Sequence, residues 1–322
     1  MRMCVSICML CLLLAAHSAV PFVDACQRMS FVTSARAALT DAEAALRNAE
    51  KNPAAPPRTV ALARQQWQLA KLNMYYAVLN AKTEQMTLYA AVLQARNQIA
   101  IDEVNTSQNE LGVQVAAIRR QSGSITVQEL MKATDSLTRA GIDAANTKCQ
   151  LAMALTNLHT ISEEPLTFLS PPPVVILDQL HIQGLPALLE ANTGVSNAEC
   201  AVTLAHGSDT AAVDLQARER ELSQARENVK AVEMQLTLAL DTAKQQYQSA
   251  LTVHTDSEHN LTSAQKALVM LKTQFQNGLA SKMSYLEGQA IVNNAMLARD
   301  TALMSLWHAY YALLLAAGAP AN

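Results

Sequence analysis

An internal repeat constrains this chain more than any other feature. Asp41-Ala-Glu-Ala-Ala-Leu-Arg-Asn-Ala-Glu50 lines up with Asn197-Ala-Glu-Cys-Ala-Val-Thr-Leu-Ala-His206, and Gly123-Ser-Ile-Thr126 lines up with Gly278-Leu-Ala-Ser281. Beyond each glycine, Ala140, Leu151, Ala154 and Leu158 fall on Ala295, Leu306, Ala309 and Leu313. Landmarks that recur at such a long and nearly constant spacing mark the duplication of one unit, so the fold must be assembled from two like halves. The glycine-centred matches carry most of this argument, because Ala-rich helices can imitate one another by composition alone.

What each half can be follows from its punctuation. No proline falls between Arg58 and Glu164 or between Ala187 and Ala319, and the intervening sequence is rich in Ala, Leu, Gln and Glu, which favour helix. The fold class is therefore all-α. Each unit reads as a short helix (about 34–50, or 187–205), a long helix (about 59–121, or 212–276) and a return helix (about 126–162, or 281–317). The first long helix would run roughly 95 Å at 1.5 Å per residue, a length suited to a coiled coil and not to a compact globule.

Two apolar stripes run along that helix. One passes through Leu69, Leu72, Tyr76, Leu79, Met86, Ala90, Leu93, Ala100, Val104, Leu111, Val115 and Ile118 with 3-4 spacing. The other passes through Val60, Ala63, Trp67, Ala70, Met74, Ala77, Ala81 and Leu88. Trp67 and Leu69 are two positions apart, about 200° around a helix, so the stripes lie on opposed flanks. A lone hairpin needs one seam, whereas opposed seams require neighbours on both sides. The second long helix repeats the first stripe from Leu222 through Ala243 and again from Leu261 to Phe275.

The turns have their own logic. Gly123 and Gly278 can take the left-handed conformation that ends a helix. Thr126 is then an N-cap with Glu129 completing a capping box, and Ser281 repeats the cap without an acidic partner. A partition follows: residues 1–25 as an export signal, 26–165 as the first helical repeat, 166–186 as a Pro-rich linker and 187–318 as the second repeat. The linker holds Val174-Val-Ile-Leu177 among its prolines, which suggests one short extended strand.

The export signal is read from Arg2, the apolar run Cys4 to Ala16 and the small residues that follow. Cleavage after Ala19 and after Ala25 both fit. The second would leave Cys26 first, as a lipidated residue, although Asp24 suits such a site poorly; plain secretion is the alternative. No later stretch is apolar enough to span a bilayer. Cys149 and Cys200 have no metal-site spacing and read as semi-buried small residues, with a disulfide open.

The remaining composition excludes whole classes. With 24 basic and 27 acidic side chains and a net charge of −3, no basic patch points to nucleic acid. There is no phosphate-binding glycine loop and no G-x-S-x-G nucleophile, so the reading is a non-enzyme without cofactor or metal. His254 and His259, five apart, lack the i, i+4 spacing of a helical metal site and read as solvated residues. The carboxylates, Asp135, Asp143, Asp256 and Glu258 among them, are scattered along helix faces, where charges usually solvate the surface.

Two segments resemble the TolC-like outer-membrane efflux family: Gln274-Phe-Gln-Asn-Gly-Leu-Ala-Ser-Lys-Met-Ser-Tyr-Leu-Glu-Gly-Gln289 and Ala309-Tyr-Tyr-Ala-Leu-Leu-Leu-Ala-Ala-Gly318. Arg120-Gln-Ser-Gly-Ser-Ile-Thr-Val-Gln-Glu-Leu130 is the first-repeat counterpart, and the likeness covers most of residues 34–318. The resemblance implies a trimeric periplasmic α-barrel, an exported protein associated with the outer membrane, and a membrane-fusion protein of an inner-membrane pump as partner. It would place Gly123, Ser124, Thr126, Gly278, Leu279 and Ser281 at the docking tips, and the linker in a collar around the tube. One departure stands out. The family inserts a pair of membrane strands between short and long helices, but the breaks here, 51–59 and 206–212, are too short for two strands of roughly 9–11 residues each. The chain could extend a conduit, join barrel-bearing homologues as a hetero-oligomer, or serve as a coiled-coil scaffold or spacer without a lumen.

Overall fold

The computed structural model describes residues 29–54, 56–160, 170–180, 182, 184–207 and 212–318; the export signal and Cys26 lie outside them. Six α-helices follow one another: α1 (Ser30–Lys51), α2 (Pro57–Gln121), α3 (Val127–His159), α4 (Pro186–His206), α5 (Ala212–Gln276) and α6 (Lys282–Ala317). Among the described residues there is no strand, and no helix is long and apolar enough to cross a membrane.

The duplication holds to the residue. Pro57 matches Ala212, Gln121 matches Gln276 and Val127 matches Lys282, each 155 positions on. Both long helices have 65 residues, about 97 Å at the standard rise. Each short helix is joined to its long helix by five residues, 52–56 and 207–211. Neither connection can hold even one membrane-crossing strand of roughly nine residues.

The chain forms two compact units, and each takes helix segments from both repeats. One comprises the described parts of residues 1–83, 172–248 and 309–322, the other those of 84–171 and 249–308. In the second unit α2 has a neighbour on each flank. Towards α6, Asn97 Nδ2 donates to Asp300 Oδ2 at 2.7 Å and Asn293 Nδ2 donates to the Ala100 carbonyl at 2.8 Å. Towards α3, Thr147 Oγ1 donates to Asp102 Oδ2 at 2.6 Å. Asn97 continues the stripe of Leu79, Met86 and Ala90, whereas Asp102 continues that of Ala81 and Leu88, so the two opposed seams serve two different neighbours. On its other side α6 meets α5, where Phe275 stacks on Tyr285 with ring centroids 5.4 Å apart. The order in this unit is therefore α3, α2, α6, α5.

Burial follows that order. On α6, Ala302, Leu303, Met304, Leu306 and Trp307 are all buried, a face of about 200°, while Thr301 and Ser305 on the remaining side are exposed. So wide an apolar face is stable only when neighbours cover it on more than one side. By contrast α3 buries only Thr147 and Leu158.

The first unit is stapled by tyrosines. Tyr310 lies 5.5 Å from Tyr311 and 6.4 Å from Tyr247, centroid to centroid. Tyr76 donates its hydroxyl to the Leu315 carbonyl at 3.1 Å. Burial, and then the neighbouring Tyr75, push the Tyr76 phenol up to about 12; burial, then Tyr75 and Tyr247, do the same for Tyr310.

The linker departs from expectation. Among the described residues Val174 to Ile176 belong to no strand, although Ile176 is extended, and Leu177–Gln179 form a 3-10 turn. Among the described residues no strand edge offers a ladder, and side chains hold the segment instead. Lys244 Nζ donates to the Leu180 carbonyl at 3.1 Å, Trp307 Nε1 donates to the Ser170 carbonyl at 3.1 Å, and Tyr247 hydrogen-bonds the Val175 main chain.

Candidate functional site: two capped helix tips

The six residues singled out at the turns all lie in the second unit, at the ends of its two hairpins. Gly123 has φ 71° and Gly278 φ 74°, a region open to glycine at no steric cost. Both turns are Schellman motifs built from the same bonds. Ser124 N donates to the Arg119 carbonyl at 2.8 Å, and Leu279 N to the Gln274 carbonyl at 2.8 Å. Gly123 N reaches the Arg120 carbonyl at 3.1 Å, and Gly278 N the Phe275 carbonyl at 3.0 Å. Duplication thus extends to individual hydrogen bonds.

The caps then diverge as read from the sequence. Glu129 N donates to Thr126 Oγ1 at 3.2 Å and Thr126 N donates back to Glu129 Oε2 at 2.7 Å, a closed capping box. Those bonds to Thr126 hold the Glu129 carboxyl below its ordinary range. At the second tip Ser284 N donates to Ser281 Oγ at 3.0 Å, and Ser284 stands where Glu129 stands in the first.

Gly123, Ser124, Thr126, Gly278, Leu279 and Ser281 are all exposed, and Leu279 is 79% exposed where its counterpart is Ser124. One tip therefore presents an apolar knob and the other a hydroxyl. Behind the second tip, Gly288 lets α5 come close, for a Cβ there would stand 2.7 Å from Leu271 Cδ2. The first tip has Ala133 at that place.

Sequence reading missed a polar cluster on the first hairpin. Asp102 is 6% exposed, accepts from Thr147 and, at 2.9 Å, from Gln98 Nε2. It lines a groove of about 280 Å³ together with Asn105, Asn109, Ser136, Arg139 and Asp143. The same positions of the second repeat hold Ser257, Asn260, Ala264, Ile291, Asn294 and Ala298. That contrast between repeats was the signal available in the sequence.

Two readings need correction. His254 is 4% exposed, not solvated, because it lies on the same face of α5 as the buried Ser257 and Leu261; His259 is exposed. Cys149 and Cys200 are exposed free thiols instead of semi-buried residues. Their helices, α3 and α4, turn much of their surface outward. Asp135, Asp143, Asp256 and Glu258 are all exposed. Among the described residues no group of three His, Cys, Asp or Glu side chains could hold a metal ion.

No family model matches the sequence, and no curated protein matches it. Solved structures do. The chain superposes on CusC with a TM-score of 0.61 at 15% identity, covering 92% of this chain and 94% of that one. The outer membrane protein VceC of Vibrio cholerae gives 0.60 at 13% identity, with 92% and 95% covered. The outer membrane channel CmeC of Campylobacter jejuni gives 0.57 at 12% identity, with 91% and 84% covered. These are outer-membrane and channel proteins, not enzymes. At such identities the likeness is one of fold: this all-helical, twice-repeated chain shares its fold with solved outer-membrane channel structures.

Proposed function

We propose that this protein is a component of a trans-envelope efflux or secretion assembly, in which it forms or extends a periplasmic α-helical conduit. The observation that carries this reading is the pair of Schellman-capped, solvent-exposed tips on a fold shared with outer-membrane channels. Passage through the conduit is passive; an inner-membrane pump supplies the energy and a membrane-fusion protein joins the two. The chain is exported and acts at the periplasmic face of the outer membrane, and a lipid on Cys26 would tether it there. Three copies, or copies mixed with barrel-bearing homologues, complete the wall. Because residues 52–56 and 207–211 cannot form membrane strands, the second arrangement supplies the barrel from another chain.

The tips give docking specificity, with Gly123, Ser124 and Thr126 on one and Gly278, Leu279 and Ser281 on the other. Co-purification with a membrane-fusion protein of an inner-membrane pump tests this. The wild-type chain should retain that partner, and Leu279→Asp should release it without altering helicity by circular dichroism. Retention by Leu279→Asp and by a Ser124→Asp, Leu279→Asp double variant would remove the tips from the docking surface.

A further inference from the structure

The two long helices have diverged almost everywhere, and what they keep in common near the tips is a short exposed pattern. Between Arg96 and Arg120, only Glu103 and Asn105 retain their identity 155 positions on, as Glu258 and Asn260. Position 107 also keeps a hydroxyl, since Ser107 corresponds to Thr262. Both halves therefore read Glu-x-Asn-x-Ser/Thr: Glu103-Val-Asn-Thr-Ser107 and Glu258-His-Asn-Leu-Thr262. Asn-x-Ser/Thr with no proline in the middle is the acceptor pattern for N-linked sugar, and no other asparagine of the sequence has it. A lone match is weak, because Ser and Thr are common. Weight comes from two matches at equivalent places whose neighbours have changed.

Packing does not account for what was kept. Glu103, Asn105, Glu258 and Asn260 are all exposed. The buried positions beside them changed instead: Ile101, Asp102 and Val104 correspond to Asp256, Ser257 and His259. That is the reverse of what a shared core would preserve. Each asparagine also stands 18 residues before its turn glycine, roughly 27 Å along the helix.

We propose that Asn105 and Asn260 are acceptors of an N-linked glycan. This rests on the export reading above, because the sugar donor, an oligosaccharide on a polyprenyl diphosphate, is used by a transferase at the membrane the chain crosses. The side-chain amide nitrogen attacks C1 of the first sugar. An N–C1 bond forms as the C1–O bond breaks, the diphosphate leaves with the bonding electrons, and the amide proton passes to a transferase carboxylate. The hydroxyls of Ser107 and Thr262 orient the asparagine during the transfer. Both patterns lie inside α2 and α5, so the sugar is added before these helices close, and long helices of this kind close only when packed. Exposure of both asparagines leaves room for the sugar afterwards. Beside Asn105, the groove lined by Ser136, Arg139 and Asp143 gives the first sugar polar neighbours.

Mass spectrometry of the full chain purified from its source cells tests this. Trypsin cuts after Arg96, Arg119, Lys244 and Lys266, so each asparagine lies on its own peptide, 97–119 and 245–266. Both peptides should carry the same added glycan mass and release sugar fragment ions. Asn105→Gln and Asn260→Gln should each remove one step in gel mobility, and the double variant both. Ser107→Ala and Thr262→Ala, which keep the asparagines, should do the same. Bare peptides from a chain whose N-terminus begins at Val20 or Cys26 would overturn the proposal and leave the conduit standing. Bare peptides from a chain that retains Met1 would overturn the export reading with it. Glycan that persists in the hydroxyl variants, or sits only on other peptides, would also overturn it.

Discussion

The hairpins α2–α3 and α5–α6 share one backbone plan and carry different chemistry. Their helix starts, their Schellman turns and their cap positions repeat at 155 residues. Yet the first hairpin buries Asp102 against Thr147, where the second has Ser257 and Ala302. The first tip closes a capping box, and the second shows a bare leucine. The comparison separates what the fold demands from what it merely tolerates. Positions kept in both halves, the glycines and the 3-4 stripes, define the frame. Positions that differ show where each half has gone its own way, inside the wall at Asp102 and at the solvent-exposed tip at Leu279.

The sharpest way to probe this is to make the same change in both halves. Leu306 is 1% exposed whereas its counterpart Leu151 is half-buried. Leu306→Ala should cost about 2–5 kcal/mol, and Leu151→Ala clearly less, by chemical denaturation. Equal losses would mean that α3 is as enclosed as α6. Thr147→Ala should cost about 1–3 kcal/mol by leaving the buried Asp102 short of a donor. Adding Asp102→Ser, which copies the second repeat, should recover most of that loss. Failure to recover would make the carboxylate part of the frame.

The turns should respond alike, since both need positive φ. Gly123→Ala and Gly278→Ala should each cost about 1–2 kcal/mol, and a large difference between them would break the equivalence. The caps should respond unequally. Thr126→Ala should cost about 1 kcal/mol and Ser281→Ala less, because only Thr126 has a reciprocal acidic partner. Glu129→Ser should narrow that gap.

The smallest effect concerns pH. Burial holds the His308 imidazole below its ordinary 6.5, so the unfolded chain takes up a proton first as the solution is acidified. His308 should therefore favour the folded state at neutral pH and lose that contribution as pH falls below about 6.5. His308→Gln should flatten the thermal-melting profile over that range relative to wild type. Its counterpart Met153 carries no titrating group.

Much of this frame was readable from the sequence because it rests on backbone rules. Proline gaps bounded the helices, and α2 and α5 end within two residues of the expected limits. Gly123 and Gly278 marked the turns through the one conformation that glycine alone adopts freely. Two apolar stripes 200° apart implied two neighbours for α2, and α3 and α6 are those neighbours. Other features were hidden because they depend on which helices are enclosed. His254 looks like any polar helix residue until α5 is seen to turn that face inward. Cys149 looks like a small core residue until α3 proves to lie at the end of the row. Val174 to Ile176 have strand-forming side chains, but a strand needs an edge to pair with. The Asp102 cluster is legible as well, because comparing the repeats at 102 and 257 exposes it.

Mass and shape of residues 26–322, purified without detergent and imaged in negative stain, bear most directly on the conduit. The account predicts a soluble trimer seen as a hollow tube roughly 100 Å long, set by the rise of the 65-residue helices. A monomer, or a solid rod with no lumen even when barrel-bearing homologues are added, would contradict it and leave a coiled-coil spacer in its place.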